Sequence, residues 1–225
     1  MTTKKHDFVE VDFMAKNLGN DEIFDTNIPA EAKKIGLEMN TKPFIINIGR
    51  GMVVRGFDEA LEGKEVGKKY TVKISPEKAF GKRDSKLVRL ISLKVFAEQK
   101  IYPQPGMTLA LDNNLVKVVS VSGGRVMVDF NNPVAGKDVE YEFTIKKIIT
   151  DDKERILAVQ RFLFGHEFKF ELEEKAGKKI IVFEDIKLTP VLNAFKHKFK
   201  EILDMEVEIL AKKEKAEEKK EEVKA

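Results

Sequence analysis

Apolar residues occupy alternate positions in four separate stretches of the chain. In the segment 7–14, Val9, Val11 and Phe13 share one face while Glu10 and Asp12 share the other, the two-residue period of a strand with one side on a core. The same period recurs in Phe44, Ile46 and Ile48, in Tyr70, Val72 and Ile74, and in Val139, Tyr141, Phe143 and Ile145. Four half-buried strands predict an antiparallel sheet. Between the second and third, Phe57, Ala60 and Leu61 stand at helical spacing between Gly56 and Gly63, which leaves room for one short helix. A short helix on a curved sheet buries the apolar face of both, so the expected fold class is α+β.

From Leu87 to Phe130 the texture changes to short apolar runs, LVRLI, MTLAL, LVKVVSV and RVMVDF, separated by turn sequences. Asp112-Asn113-Asn114 and Gly123-Gly124 supply the positive φ of tight hairpins. Ser92 can cap a helical turn over Leu93 to Phe96. This predicts a small β domain over 87–129, inserted into a domain made of 1–86 and 130–149. After Thr150 the pattern predicts a helix at Asp152–Phe164, strands at Phe168–Leu172 and Ile180–Phe183 joined by a hairpin turn in EKAGKK, a helix at Pro190–Leu203 and a strand at Val207–Leu210. Residues 150–210 thus read as an α/β domain. Its apolar spacing (Phe162, Leu163, Ile180, Val182, Phe195, Phe199 and Ile202) fits an internal core or an interface, and a homodimer through this unit is expected. Residues 211–225 are almost wholly Lys, Glu and Ala and read as a frayed or disordered tail.

Composition narrows the chemistry. The 225 residues are 42% hydrophobic and 35% charged, with a formal net charge of +3, too balanced to imply a nucleic acid or membrane partner. No cysteine is present, which excludes disulfides and thiolate catalysis. His6, His166 and His197 stand far apart, no glycine loop suits a nucleotide, and neither metal nor cofactor is expected. Asp84, Asp151 and Asp152 read as surface carboxylates. No stretch approaches the roughly 18 apolar residues of a membrane span, and a cytoplasmic protein is expected.

The most informative stretch is PFIINIGRGMVVRGFDEALEGKEVGKKYTVKISPEKAFG, from Pro43 to Gly81, preceded by Ile23-Phe24-Asp25. In order and spacing it resembles the FKBP-type peptidyl-prolyl cis/trans isomerases. The break after Ala79-Phe80-Gly81 and the return at NNPVAGKDVEYEF, from Asn131 to Phe143, resemble the SlyD-like branch, in which an insert-in-flap domain interrupts the chain. The part beyond Thr150 resembles the C-terminal extension of archaeal long-type members.

The resemblance implies an FKBP-like curved sheet around a short helix and isomerase activity on X-Pro bonds of unfolded or nascent polypeptides. It implies a site with Phe57 as floor and Phe13, Phe44, Phe80 and Tyr141 as walls. Phe24, Met52, Val53 and Val54 line it, and the Val54 N–H would bind substrate. Asp25 would meet the rotating carbonyl or orient its neighbours. Taken singly, each aromatic reads as core; a carboxylate among them is costly unless hydrogen-bonded or in use. Phe57 stands where many relatives carry Trp, which keeps the shape without the indole donor. The insert carries Leu90, Ile91, Val95, Phe96, Ile101, Met107, Leu109 and Leu115, more apolar side chains than some forty residues can bury. Some must face outward, with Leu90, Val95 and Phe96 expected to hold clients. The competing reading is a holdase or scaffold with a vestigial pocket.

Overall fold

The computed structural model describes residues 1–37, 42–111, 114–175, 177–183 and 189–209. The turn residues Asp112 and Asn113, Ala176 of the expected hairpin, Leu210 and the charged tail lie outside the described residues.

The largest sheet has five strands: β1 (Phe8–Asn17), β2 (Ile23–Thr26), β3 (Ile45–Asn47), β4 (Lys69–Ile74) and β9 (Val139–Ile149). Its order is β2-β1-β9-β4, with β3 on the same edge of β1 as β2. Val9, Val11, Phe13 and Ala15 of β1 and Val139, Tyr141, Phe143 and Ile145 of β9 line one face. Helix α2 (Arg55–Leu61) closes that face with Phe57 and Leu61. Gly56 is required there: a Cβ at this position would lie 2.3 Å from Ile74 Cγ2. The sequence pattern missed α1 (Pro29–Lys34), whose six residues bury only Ala32.

At one end the same sheet is buried on both sides. A bulge pairs Glu10 with Lys147 and Val11 with Ile145. Phe8, Ile45 and Ile149 turn to the opposite face, where they pack with Ile156, Ala158 and Val159 of α4 (Asp152–Phe164). Helix α5 (Thr189–Leu203) and the strands β10 (Phe170–Lys175), β11 (Lys178–Phe183) and β12 (Glu206–Ile209) complete this second core, with β12 parallel to β11. Asp151 caps α4 by accepting the Glu154 N–H at 2.8 Å, and Gly165 ends it at φ +66°. The first strand of this unit begins later than Phe168 because the Phe168 N–H is bonded to Gln160 Oε1 at 2.6 Å.

The apolar face expected to join two copies is used within one chain. Ile180, Val182, Phe199 and Ile202 are buried, and Leu163 and Phe195 pack against the second core. Phe162 remains exposed. Phe8, Ile45 and Ile149 of the first sheet thus cover part of this unit's apolar surface.

A third, four-stranded sheet runs β5-β8-β7-β6, from β5 (Val88–Ser92), β6 (Thr108–Leu111), β7 (Asn114–Ser122) and β8 (Arg125–Asp129). Helix α3 (Leu93–Glu98) covers one face, with Ser92 accepting the Lys94 N–H at 3.3 Å as its cap. The two chains leading into this sheet are tied together. Gly136 N–H donates to the Gly81 carbonyl at 2.8 Å and Phe130 N–H to that of Leu87 at 3.0 Å. The Asn131 amide accepts the Asp84 N–H at 2.8 Å and donates to the Asp84 carbonyl at 2.9 Å. Arg83 pairs with Asp129 at 2.5 Å.

Gly56→Ala forces α2 off β4, and overpacking of this kind costs about 1–3 kcal/mol. Urea denaturation measures the loss; an unchanged midpoint would show that the helix can shift freely.

Candidate active site

Three structural ties position the side chains singled out in the sequence. On β2, Thr26 Oγ1 donates to the Phe13 carbonyl at 2.7 Å, while Asn27 Oδ1 accepts the Phe13 N–H and its Nδ2 donates to the Val11 carbonyl, both at 2.7 Å. These bonds hold Phe24 and Asp25 beside β1. The Val54 carbonyl accepts from the N–H groups of Phe57 and Asp58, both at 3.0 Å, which fixes Val54 at the start of α2. The buried Asp58 carboxylate then reaches back to accept the N–H of Gly49 at 2.7 Å and of Gly51 at 3.0 Å. Both glycines have positive φ, so this loop is shaped by residues that tolerate left-handed backbone and a carboxylate that satisfies it. The pattern of apolar positions gave no reason to single out Asp58. The signal available was an acidic residue in a first helical turn, seven to nine residues after two glycines.

The six aromatics expected at the site form one connected group. Phe57 stacks on Tyr141 with ring centroids 4.5 Å apart. Phe13 lies 5.9 Å from Phe57, 6.1 Å from Tyr141 and 5.1 Å from Phe44. Phe24 meets Phe80 edge-on at 5.5 Å and Tyr141 at 6.3 Å. Tyr141 is therefore the joint between the Phe13, Phe44 and Phe57 rings and the Phe24 and Phe80 rings. Phe13, Phe57 and Tyr141 are buried; Phe24, Phe44, Phe80, Met52, Val53 and Val54 are half-buried around them. The result is an apolar group with a buried base and half-exposed walls.

Only two groups of this set can ionise. Asp25 stands at the mouth, exposed as a residue. Loss of water on its inner side pushes the carboxyl above its ordinary 3.8, against the opposing pull of the Thr26 N–H. The Tyr141 hydroxyl is pushed well above its ordinary range, first by burial and then by the negative charge of Asp25. Tyr141 is thus a permanent O–H donor at neutral pH. Among the described residues no group of His, Cys, Asp and Glu is placed to hold a metal.

Two family models match the chain. That of the FKBP-type peptidyl-prolyl cis-trans isomerase covers residues 1–94, and that described as FKBP26, IF domain covers residues 89–134. The short-type peptidyl-prolyl cis-trans isomerase of Methanocaldococcus jannaschii is 38% identical over 146 residues, 64% of this chain and 90% of that protein. The chain belongs to the FKBP-type peptidyl-prolyl cis-trans isomerases. The FKBP-type isomerase SlyD of Haemophilus influenzae is 32% identical over 52% of this chain and 60% of its own length. The FKBP-type 16 kDa isomerase of Escherichia coli is 29% identical over 48% and 76%. The alternation seen in the sequence is the FKBP sheet, and the segment between its fourth strand and the long strand β9 carries the second matched model.

Not every expected site residue joins this FKBP pocket. Leu90, Val95 and Phe96 lie on the separate four-stranded sheet and its helix. Of these, Phe96 is corrected: at 1% exposure it is the centre of that sheet's own core, packed with Val116, Val118, Val126 and Val128. A helix of six residues covering a sheet needs one large side chain facing inward, and Phe96 is that side chain.

Asp58→Ala strips the carboxylate from two backbone N–H groups and costs about 1–3 kcal/mol, read as a lowered denaturation midpoint. Asp25→Asn acts in the opposite sense. A raised folded-state carboxyl opposes folding fully above its folded pKa and not at all below its ordinary value. The variant is therefore more stable than the parent at neutral pH, and the two converge below pH 3.8.

Proposed function

We propose that the aromatic pocket around Tyr141 isomerises X-Pro bonds of unfolded or nascent polypeptides and that the four-stranded sheet holds those clients beside it. The observation that carries the first part is the single ring group, closed at its base by Phe57 on Tyr141 and open at Phe24, Phe44 and Phe80. Rotation about an amide C–N bond costs about 18–20 kcal/mol because resonance is lost in the twisted state. A planar amide is the more charge-separated form, so moving it from water into an apolar concavity favours the twisted state. The proline ring sits on Phe57, and the wall aromatics exclude water from the rotating bond. The Val54 N–H takes a substrate carbonyl. Asp25, half desolvated at the mouth, faces the rotating carbonyl or orients its neighbours, and the un-ionised Tyr141 hydroxyl supplies a polar contact where Phe57 has none. No nucleophile is needed.

The second part is supported by where apolar side chains remain in solvent. Alternation on β7 and β8 puts Val116, Val118, Val126 and Val128 under α3 and leaves the other face outward. On that outer face Leu90 is paired with Met127, and Leu115, 68% exposed, stands on the next strand but one. Val95 is exposed on α3. Such residues with charged neighbours suit extended, unfolded chain of varied sequence, and tethering raises the local concentration of prolines at the pocket.

Asp25→Ala, which removes the same desolvated charge, is expected to leave the melting temperature at or above the parent's at neutral pH and lose most of kcat/KM on an X-Pro peptide. In the parent, kcat/KM falls as pH drops through the raised carboxyl pKa, and Asp25→Asn removes that limb. Phe57→Ala is the poorer probe, because truncating a fully buried Phe costs about 3–5 kcal/mol of stability. An uncatalysed rate for the parent would refute the enzyme reading.

Replacing residues 87–129 by a short Gly-containing loop is sterically simple, since the Leu87 carbonyl already meets the Phe130 N–H. Tetrapeptide isomerisation is expected within a few-fold of the parent, with sharply reduced catalysis of proline-limited protein refolding. Refolding at the full parental rate would remove the sheet from the client site.

A further inference from the structure

A cavity of about 380 Å³ opens between the isomerase pocket and the C-terminal unit, within the size range of small ligand sites. One side is Asp25, Phe44 and Met52, which also border the prolyl pocket. The other is Ala158, Arg161 and Phe162 of α4. Spacings of three and four residues put these last three on one stripe of the helix. Leu37 and Lys42 lie at its rim. The cavity adjoins the aromatic site: Phe44, a wall of this cavity, lies 5.1 Å from Phe13 as a tilted ring pair.

Its chemistry is uneven. Phe162 is 43% and Leu37 40% exposed, two large apolar side chains left in water at a concave place. Beside them Lys42 and Arg161 share one carboxylate, Glu167, at 2.6 and 3.2 Å. Lys42 holds the Glu167 carboxyl below its usual range, and Asp25 brings a second carboxylate to the lining.

We propose that this cavity is a subsite for the segment of client chain flanking the prolyl bond, selecting a large apolar side chain. The inference rests on the isomerase reading of the adjoining pocket. A client whose proline lies on Phe57 extends past Phe44, and the wall it meets next belongs to α4. The flanking apolar residue then covers Phe162 and Leu37. The C-terminal unit thus takes part in substrate choice.

The test uses the full chain and two extended peptides that share one X-Pro core and carry Leu or Ser at a flanking position, scanned over the residues on either side. Isomerisation is followed kinetically and binding by fluorescence anisotropy. At one flanking position the parent is expected to favour Leu over Ser by about ten-fold, the lower range of what an apolar pocket discriminates. Phe162→Ser and, separately, Leu37→Ser reduce the Leu to Ser ratio towards one; both positions are exposed, and melting curves check the fold. Catalysis with equal rates for Leu and Ser at every position overturns the subsite and leaves the isomerase reading intact. A preference for Leu in binding without catalysis of any peptide keeps the subsite and overturns the isomerase reading. A preference that survives both substitutions overturns the subsite. So does a parental dimer in light scattering that Phe162→Ser converts to monomer with peptide preference unchanged, since the cavity is then filled by a second copy.

Discussion

The antiparallel pairing of β1 with β9 is the interaction on which the rest of the molecule depends. It runs from Phe8 opposite Ile149 to Asn17 opposite Val139, and every other strand of the large sheet is attached to one of these two. The inner face of the pair supplies Phe13 and Tyr141, so the base of the pocket is a cross-strand neighbourhood. The bulge at Glu10 and Val11 has a separate effect. It lets Ile145 face the pocket core and Ile149 the opposite one, and thereby turns one sheet into the wall between two hydrophobic cores.

This arrangement explains what the sequence could and could not reveal. Alternation identified the inner face of β1, β4 and β9 because a half-buried strand writes its burial into a local period. It could not identify Phe8, Ile45 and Ile149 as a second buried face: each is one apolar residue on a side otherwise polar, and its partner α4 is remote or lies beyond a turn. The helix at Asp152–Phe164 was legible at both ends because Asp151 and Gly165 are strong local stop signals. Helix α1 carried no comparable apolar stripe.

The site shows the same division. The six aromatics that the resemblance picked out, from the Pro43–Gly81 stretch and the segments on either side of it, do form one ring group. Asp58 was not picked out, because its role is to satisfy two backbone N–H groups and nothing in a hydrophobic pattern marks that. Phe96 was misplaced because counting apolar residues in the insert shows that some face outward without showing which; register decides, and register needs the partner strands. The apolar spacing of residues 150–210 left an internal core and an interface open, because residues it packs on, Phe8, Ile45 and Ile149, lie far away in sequence or across a turn.

The pairing of the first long strand with one that follows the insert also sets an order of events during synthesis. Chains emerge N-terminal end first, and domains fold as units when their contacts are available. All strands of the four-stranded sheet lie between Val88 and Asp129, so their local contacts can close while β9 is still being made. Strand β1 has only β2 and β3 to pair with until Val139–Ile149 leaves the ribosome. The outward Leu90 and Leu115 are therefore present on a formed surface before the aromatic group has its Tyr141, while one edge of β1 is still open.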